Sequence, residues 1–392
     1  MNILNISQIL PIPGIYKTND FVLILADHIL EQNPQDTISF IRPVPYTNNF
    51  LRKYFQTSHI TLPGDLNEYQ YYKHTITIFR FLSAWSRNNL HAVLTLSLYW
   101  MNKKRIKHII TKNKIDIVHA QFIFPDGLLA LILKRKYHLP YVISTHTELK
   151  YFNSFLSNRF AFSILKNASK ITPLNHRNLK FFYSQGLNKL EIMPLGIDKS
   201  FFINNPPNRG KQEFRIITLG DLIKLKNIDK VLTTLSMLMQ HYDIRLTIIG
   251  QGPEENSLKK LSENLKIADQ VDFCGYIQHD ELPQILANHN LFILPSYPET
   301  FGRVYFEAMA AGLPVICAVN SGVYGYFPEL VDKYAVNPEN LHEMAEKIEY
   351  FIRNEGEREI IGKKLQSLVY SYSWEKIAMR YREIFLEAIQ TA

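Results

Sequence analysis

The sequence predicts an α/β chain of two doubly wound parallel sheets, and three observations carry that prediction. At 392 residues the chain exceeds what one hydrophobic core supports. Short apolar runs alternate with helical stretches through both halves, the rhythm of βαβ units. The periodic pattern breaks at residues 204–210 (NNPPNRG), where Pro, Asn and Gly replace it. The expected organisation is therefore a first domain over 1–203, a second over 204–371, and a last helix over 372–392.

In the first half, residues 2–6 are a short buried-type strand and 21–31 the helix after it. Residues 115–120 are a second clear strand, 128–137 a helix and 141–144 another strand. The stretch 42–78, rich in Tyr, Asn and Pro, is expected to form long loops over the sheet. The second half restarts the alternation with strand 215–219, helix 228–240 and strand 245–249. Strands at 271–273, 291–294 and 314–317 continue it. Doubly wound sheets bind ligands at the carboxyl ends of their strands, so the two are expected to face a central cleft.

Composition narrows the class. With 46% hydrophobic and 20% charged residues the chain is globular rather than disordered. No apolar run approaches the ~18 residues that span a bilayer. Residues 1–10 lack the basic start of a signal peptide, so a cytoplasmic protein is expected. Cys274 and Cys317, the only cysteines, are too few for a disulfide framework or a zinc site and are expected in the core.

Positive charge is one-sided. Residues 1–200 hold 24 Lys+Arg against 11 Asp+Glu, whereas 201–392 hold 20 against 25. The excess clusters at Lys103, Lys104, Arg105, Lys107, Lys112 and Lys114, and again at 134–136. Such a patch suits an anionic membrane surface, on whose inner face the protein would sit peripherally, or is simply a solvated helix face. Tyr69, Tyr71, Tyr72, Phe79 and Phe81 are not interleaved with these clusters as a base-stacking platform requires, so no nucleic-acid partner is expected.

The most specific stretch is 295–314, PSYPETFGRVYFEAMAAGLP. Glu299 falls in a loop after a strand and Glu307 on the helix that follows. Phe301 and Gly302 stand at the helix start, where unpaired N–H groups and the helix dipole favour an anion. Gly302 allows a diphosphate to approach closely. Glu307 is placed to accept hydrogen bonds from ribose hydroxyls, and Glu299 to face a sugar ring.

This string resembles the E-x7-E signature and the E-A-M-A-x-G-x-P-V run of the retaining glycosyltransferases of the GT-B fold (family 4, the group-1 type). The resemblance covers nearly the whole chain. Residues 248–253 (IIGQGP) resemble the family's glycine turn, and 194–198 (PLGID), with Phe201 or Phe202, its N-G-I-D-x-x-x-F element. Residues 118–128 (VHAQFIFPDGL) resemble its V-H-x-H-x-x-x-P-x-G element. Residues 372–377 (YSWEKI) resemble the tail from which the last helix crosses back to pack on the first domain.

The resemblance implies a nucleotide-diphosphate sugar donor and retention of configuration. It implies that Gly14 in 11–15 (PIPGI) lets backbone amides reach the diphosphate, joined by Phe301, Gly302, Arg303 and Val304. Lys226 in 220–227 (GDLIKLKN) matches the lysine of G-R-L-x-x-x-K-[GN] that neutralises the leaving group. His146, with His119, is implied on the acceptor side; Thr147, where the family often has Gly, points to a different acceptor. The catalytic assignment is Glu299, His146 and Lys226. Two positions depart from the pattern: Asp221 replaces the motif arginine, and Gly325 stands where the family often has Glu. A carboxylate about 4 Å from a phosphate would cost ~1–4 kcal/mol, so Asp221 is expected to turn away while Lys224 or Arg303 supplies the charge.

Glycosyl transfer builds negative charge on the departing diphosphate, which the protein must neutralise while excluding water. No two Asp residues lie two apart, so there is no D-x-D metal motif. The helix dipole, the Gly14 and Gly302 amides and Lys226 are left to do this, with no cofactor and no divalent metal. A glycosidase would flank the sugar with carboxylates ~5–9.5 Å apart, whereas Glu299 and Glu307 are better taken as donor contacts. The expected acceptor is a saccharide or lipid-linked hydroxyl, in cell-surface polysaccharide or glycolipid synthesis. A nucleotide-sugar epimerase, or a catalytically silent scaffold subunit marked by Asp221, remain as alternatives.

Overall fold

The computed structural model describes residues 1–13, 20–46, 66–82, 92–146, 152–203 and 213–392. The expected linker at 204–210, Gly14 and Thr147 lie outside them. The chain divides into two compact units, one of Met1–Leu174, Asn178–Met193 and Glu375–Ala392, the other of Asn175–Arg177 and Pro194–Trp374. The first long segment thus ends at Met193 rather than at residue 203, and the return begins at Glu375 rather than at 372.

The first unit runs β1 (Asn2–Ile6), α1 (Phe21–Gln32), β2 (Thr37–Tyr46), β3 (Glu68–Tyr71), β4 (His74–Leu82), α2 (Ser97–Asn113), β5 (Ile117–Ala120), α3 (Leu128–Tyr137), β6 (Tyr141–Thr145), α4 (Phe155–Asn167), β7 (Lys170–Pro173) and, from Asn178 onward, α5 (His176–Ser184). Its seven strands are ordered β3-β4-β2-β1-β5-β6-β7, all neighbours parallel except β3 with β4. β5 and β6 are buried at every residue, as central strands covered on both faces must be.

The loops expected over 42–78 are corrected at both ends by this sheet: residues 42–46 complete β2, 68–78 form β3 and most of β4, and 47–65 lie outside the described residues. Pro43 and Pro45 mask the strand in sequence yet cost it little. The Ile41 carbonyl accepts from Ser7 N, so odd positions of β2 face β1, and β1 pairing stops at Ile41. Beyond it, among the described residues, the strand is held by β4 alone, and the missing proline N–H groups point where none of them pairs.

The second unit runs β8 (Phe214–Leu219), α6 (Ile228–Leu238), β9 (Ile244–Ile249), α7 (Glu255–Asn264), β10 (Val271–Gly275), α8 (Leu282–Ala287), β11 (Leu291–Leu294), α9 (Arg303–Ala310), β12 (Val315–Cys317), α10 (Leu341–Arg353) and α11 (Glu355–Val369). Its five parallel strands are ordered β10-β9-β8-β11-β12. Cys317 is buried on β12, but Cys274 is exposed, which corrects the expectation of two core thiols. β10 is an edge strand, so its alternate residues meet solvent.

The last helix, α12 (Trp374–Gln390), joins the first unit from Glu375 onward. Ile377, Ala378, Tyr381, Ile384, Phe385 and Ala388 form its buried stripe at helical spacing. Arg380 Nη2 reaches Glu191 Oε2 at 2.8 Å, and Arg382 Nε reaches Asp36 Oδ2 at 2.9 Å. No helix among the described residues is long and apolar enough to cross a membrane.

Candidate active site

In the second unit the loops after β8, β9 and β10 are laced by glycines. Gly220 N donates to Ile249 O and Gly250 N to Gly275 O. Gly250 has φ +136°, and a Cβ there would stand 1.9 Å from Gly220 O, so no other residue fits this crossing. A short turn at Lys224–Lys226 follows β8. Asn227 ends it in the left-handed region, its Nδ2 donating to Pro295 O at 2.7 Å, while Tyr297 N donates to Leu225 O. These bonds fasten the lysine turn to the loop after β11.

The result is a short ion pair, Lys226 Nζ to Glu299 Oε2 at 2.6 Å, with side chains 18% and 16% exposed. Glu299 also accepts from Ser296 Oγ at 3.2 Å and from Thr300 N at 3.0 Å, and its own N–H donates to Ser321 Oγ. Gly302 caps α9 at φ +71°, where an added Cβ would lie 2.4 Å from the Tyr305 ring. Phe301 is buried and stacks on Phe306 at 4.5 Å; Val304 is half-buried on the first turn.

One turn on, Glu307 is almost fully enclosed. Its Oε1 takes both His279 Nε2 at 2.9 Å and Arg303 Nε at 3.0 Å. Arg303, one of the two cations expected to stand in for the motif arginine, thus has its guanidinium against Glu307. Lys224 is exposed, as is Asp221 beside Gly220. His279 had no sequence signal, since a single histidine 28 residues from its carboxylate makes no motif. At Gly325 the backbone N–H donates to the Asp332 carboxylate, and a Cβ would crowd His176 at 2.8 Å.

Lys226, Glu299, Phe301, Gly302, Arg303, Val304 and Glu307 thus gather around one helix N-terminus. The family-like elements at 194–198 and 372–377 also meet: Ile197 N donates to Tyr372 O, Trp374 N to Ile197 O, and Gly196 lies against the Trp374 ring. Among the described residues no three His, Cys, Asp or Glu side chains converge to hold a metal ion.

In the first unit the two histidines separate. His119 is 1% exposed, with Nε2 2.9 Å from Ser144 Oγ and its ring against Tyr381 and Phe385. It is an interior residue, which corrects the expectation of an acceptor-side group. Burial, and secondarily the charge of His146, pushes its pKa down to about 3. His146 ends the described part of this loop, stacked on Phe122 at 4.6 Å, and burial lowers its pKa to about 4. Both imidazoles are neutral near pH 7.

Two Rossmann-like units, the second with a lysine and two carboxylates around a helix N-terminus, define a GT-B glycosyltransferase. The models of two families match the chain, Glycosyl transferases group 1 over residues 200–367 and Glycosyltransferase Family 4 over 58–201. The chain is 28% identical over 320 residues to the alpha-monoglucosyldiacylglycerol synthase of Streptococcus pneumoniae, covering 72% of this chain and 68% of that one. Sucrose-phosphate synthase from Thermosynechococcus elongatus shares the fold with a TM-score of 0.73 at 16% identity, covering 100% of both chains. The Anabaena protein Alr3699/HepE, solved with UDP and glucose, does so with a TM-score of 0.65 at 19% identity over 98% of both. The chain belongs to the family 4, group 1 glycosyltransferases.

Proposed function

We propose that this chain transfers a hexosyl group from a nucleotide-diphosphate sugar to a hydroxyl of a saccharide or lipid-linked acceptor, with retention and without a divalent metal. The observation that carries the reading is the Lys226–Glu299 pair at the start of α9. A diphosphate there meets unpaired helix N–H groups, the positive end of the dipole and one lysine. Glu307 accepts from the ribose and Glu299 from the transferred sugar. Neutral His146 serves the acceptor as a hydrogen-bonding group, next to Thr147.

In the step itself the acceptor oxygen bonds to the anomeric carbon as the bond from that carbon to the phosphate oxygen breaks. The hydroxyl proton passes to an oxygen of the departing phosphate, so no strong base is needed. Lys226 and the helix dipole hold the charge that appears there. The HepE complex with UDP and glucose supports a nucleotide-sugar donor. The lipid option draws support from the synthase of S. pneumoniae and from α2, where Lys103, Lys104, Lys107 and Lys112 are exposed beside Trp100 and Met101. Basic residues mixed with an exposed tryptophan suit an anionic headgroup layer on the inner face of a membrane.

Asp221 favours a second reading, a silent scaffold subunit, because a carboxylate stands where the family carries a cation. The test is to incubate the purified protein with UDP-, GDP- and ADP-hexoses, with diacylglycerol vesicles or oligosaccharides, in excess EDTA. A product whose anomeric configuration by NMR matches the donor supports the proposal. Consumption of no donor supports the scaffold. Isomerised donor in the absence of acceptor identifies an epimerase.

A further inference from the structure

We infer that His279 is a positioning residue for Glu307, and that the His279–Glu307–Arg303 cluster makes the donor site selective for ribonucleotides over their deoxy counterparts. This rests on the reading of Glu307 as the ribose contact. The Glu307 side chain is 3% exposed, a burial that a carboxylate tolerates only when paired and hydrogen-bonded. Both of its partners, His279 Nε2 and Arg303 Nε, sit on the same oxygen, Oε1. Oε2 takes part in neither contact. The imidazole hydrogen bond and the guanidinium charge on one oxygen hold the rotation of the carboxylate and leave the other oxygen for a ligand hydroxyl.

The two partners are held differently. Arg303 lies four residues before Glu307 on the same helix, so its approach follows from helical geometry. His279 comes from the loop after β10, and its position needs a support of its own. That support is Phe201, whose ring lies 5.0 Å from the imidazole and is itself buried on a turn capped by Asp198. The His279 side chain remains 48% exposed, so one side braces the carboxylate while the other stays open. The carboxyl ends of β10 and its neighbours are where a doubly wound sheet receives a nucleoside. His279 therefore ties the loop that receives the base to the carboxylate that receives the ribose.

Removing the imidazole leaves Oε1 with Arg303 alone and frees the carboxylate to turn. The loss falls on ligands with ribose hydroxyls and not on those without. UDP, GDP and ADP, each with its 2′,3′-dideoxy counterpart, are titrated by calorimetry into wild-type protein, His279→Ala and His279→Gln. For whichever nucleotide binds, His279→Ala should weaken the ribose form about tenfold and the dideoxy form less than twofold. His279→Gln, which keeps a side-chain N–H, should recover most of the loss. The dideoxy titration doubles as the control for folding. Equal weakening of both forms, or none of either, overturns the inference and makes His279 a packing residue on Phe201. Binding of no ribonucleotide to the wild-type protein overturns instead the donor-site reading on which it rests.

Discussion

Lys226 Nζ and Glu299 Oε2 lie 2.6 Å apart, so the cation expected to hold the donor phosphate is paired with the carboxylate expected to hold the sugar. An arriving diphosphate competes with Glu299 for that ammonium, which ties donor binding to release of the carboxylate toward the sugar. Glu299→Gln keeps the shape and removes the competition. Nucleotide-diphosphate affinity should then stay equal or rise several-fold, while the transfer rate falls by about a hundredfold, roughly the loss of one strong charged hydrogen bond or more. Calorimetry and initial rates on one preparation check this, and a parallel loss in both would refute the competition.

Gly302→Ala should damage the same site through the backbone. The residue sits at φ +71°, and the new methyl would meet the Tyr305 ring at 2.4 Å and Glu299 Cγ at 3.2 Å. Strain of this kind costs about 1–3 kcal/mol. A lowered urea midpoint together with weakened nucleotide binding is the expected result; an unchanged midpoint would mean that the start of α9 is adaptable.

The buried histidines make acid stability a second readout. Both have pKa values below the unfolded 6.5, at about 3 for His119 and about 4 for His146. Between these values and 6.5 the unfolded chain binds protons that the folded one does not, so stability is intact above pH 6.5 and falls as the pH drops. Each histidine contributes about 1.4 kcal/mol per pH unit in that window. Urea midpoints at pH 7, 6 and 5 should decline less steeply for His119→Asn than for the wild type. Identical slopes would place the acid sensitivity elsewhere.

The basic face of α2 should bind anionic vesicles. Arg105, though part of the cluster in sequence, is turned inward: its guanidinium lies over the Phe79 ring and donates to Ile78 O at 3.0 Å. Lys103 and Lys107 are exposed. Phosphatidylglycerol vesicles should therefore sediment the protein in low salt and release it near 1 M, where the Debye length is ~3 Å. Lys103→Glu with Lys107→Glu should abolish the effect. Binding that ignores salt would refute a headgroup contact.

Much of this was readable in the chain because its signals are local. The alternation of apolar runs located β1, β5, β6 and most of the second sheet, and the 295–314 string held a loop, a left-handed glycine and a helix start in one window. What was not readable depends on distant contacts. Pro43 and Pro45 hide β2 until the end of β1 is known. His119 resembles a site residue until Tyr381 and Phe385, from the far end of the chain, close over it. His279 gains meaning only against Glu307, beside which the loop after β10 places it.

The central claim is that a nucleotide diphosphate binds at the start of α9 through Lys226 and backbone donors, with no metal. Titration of UDP, GDP and ADP by calorimetry, in magnesium and in EDTA, against wild-type protein and Lys226→Ala, tests it most directly. The account predicts that one nucleotide binds equally well in both buffers and at least tenfold more weakly to the variant. Binding that requires magnesium, or that survives Lys226→Ala unchanged, would contradict it.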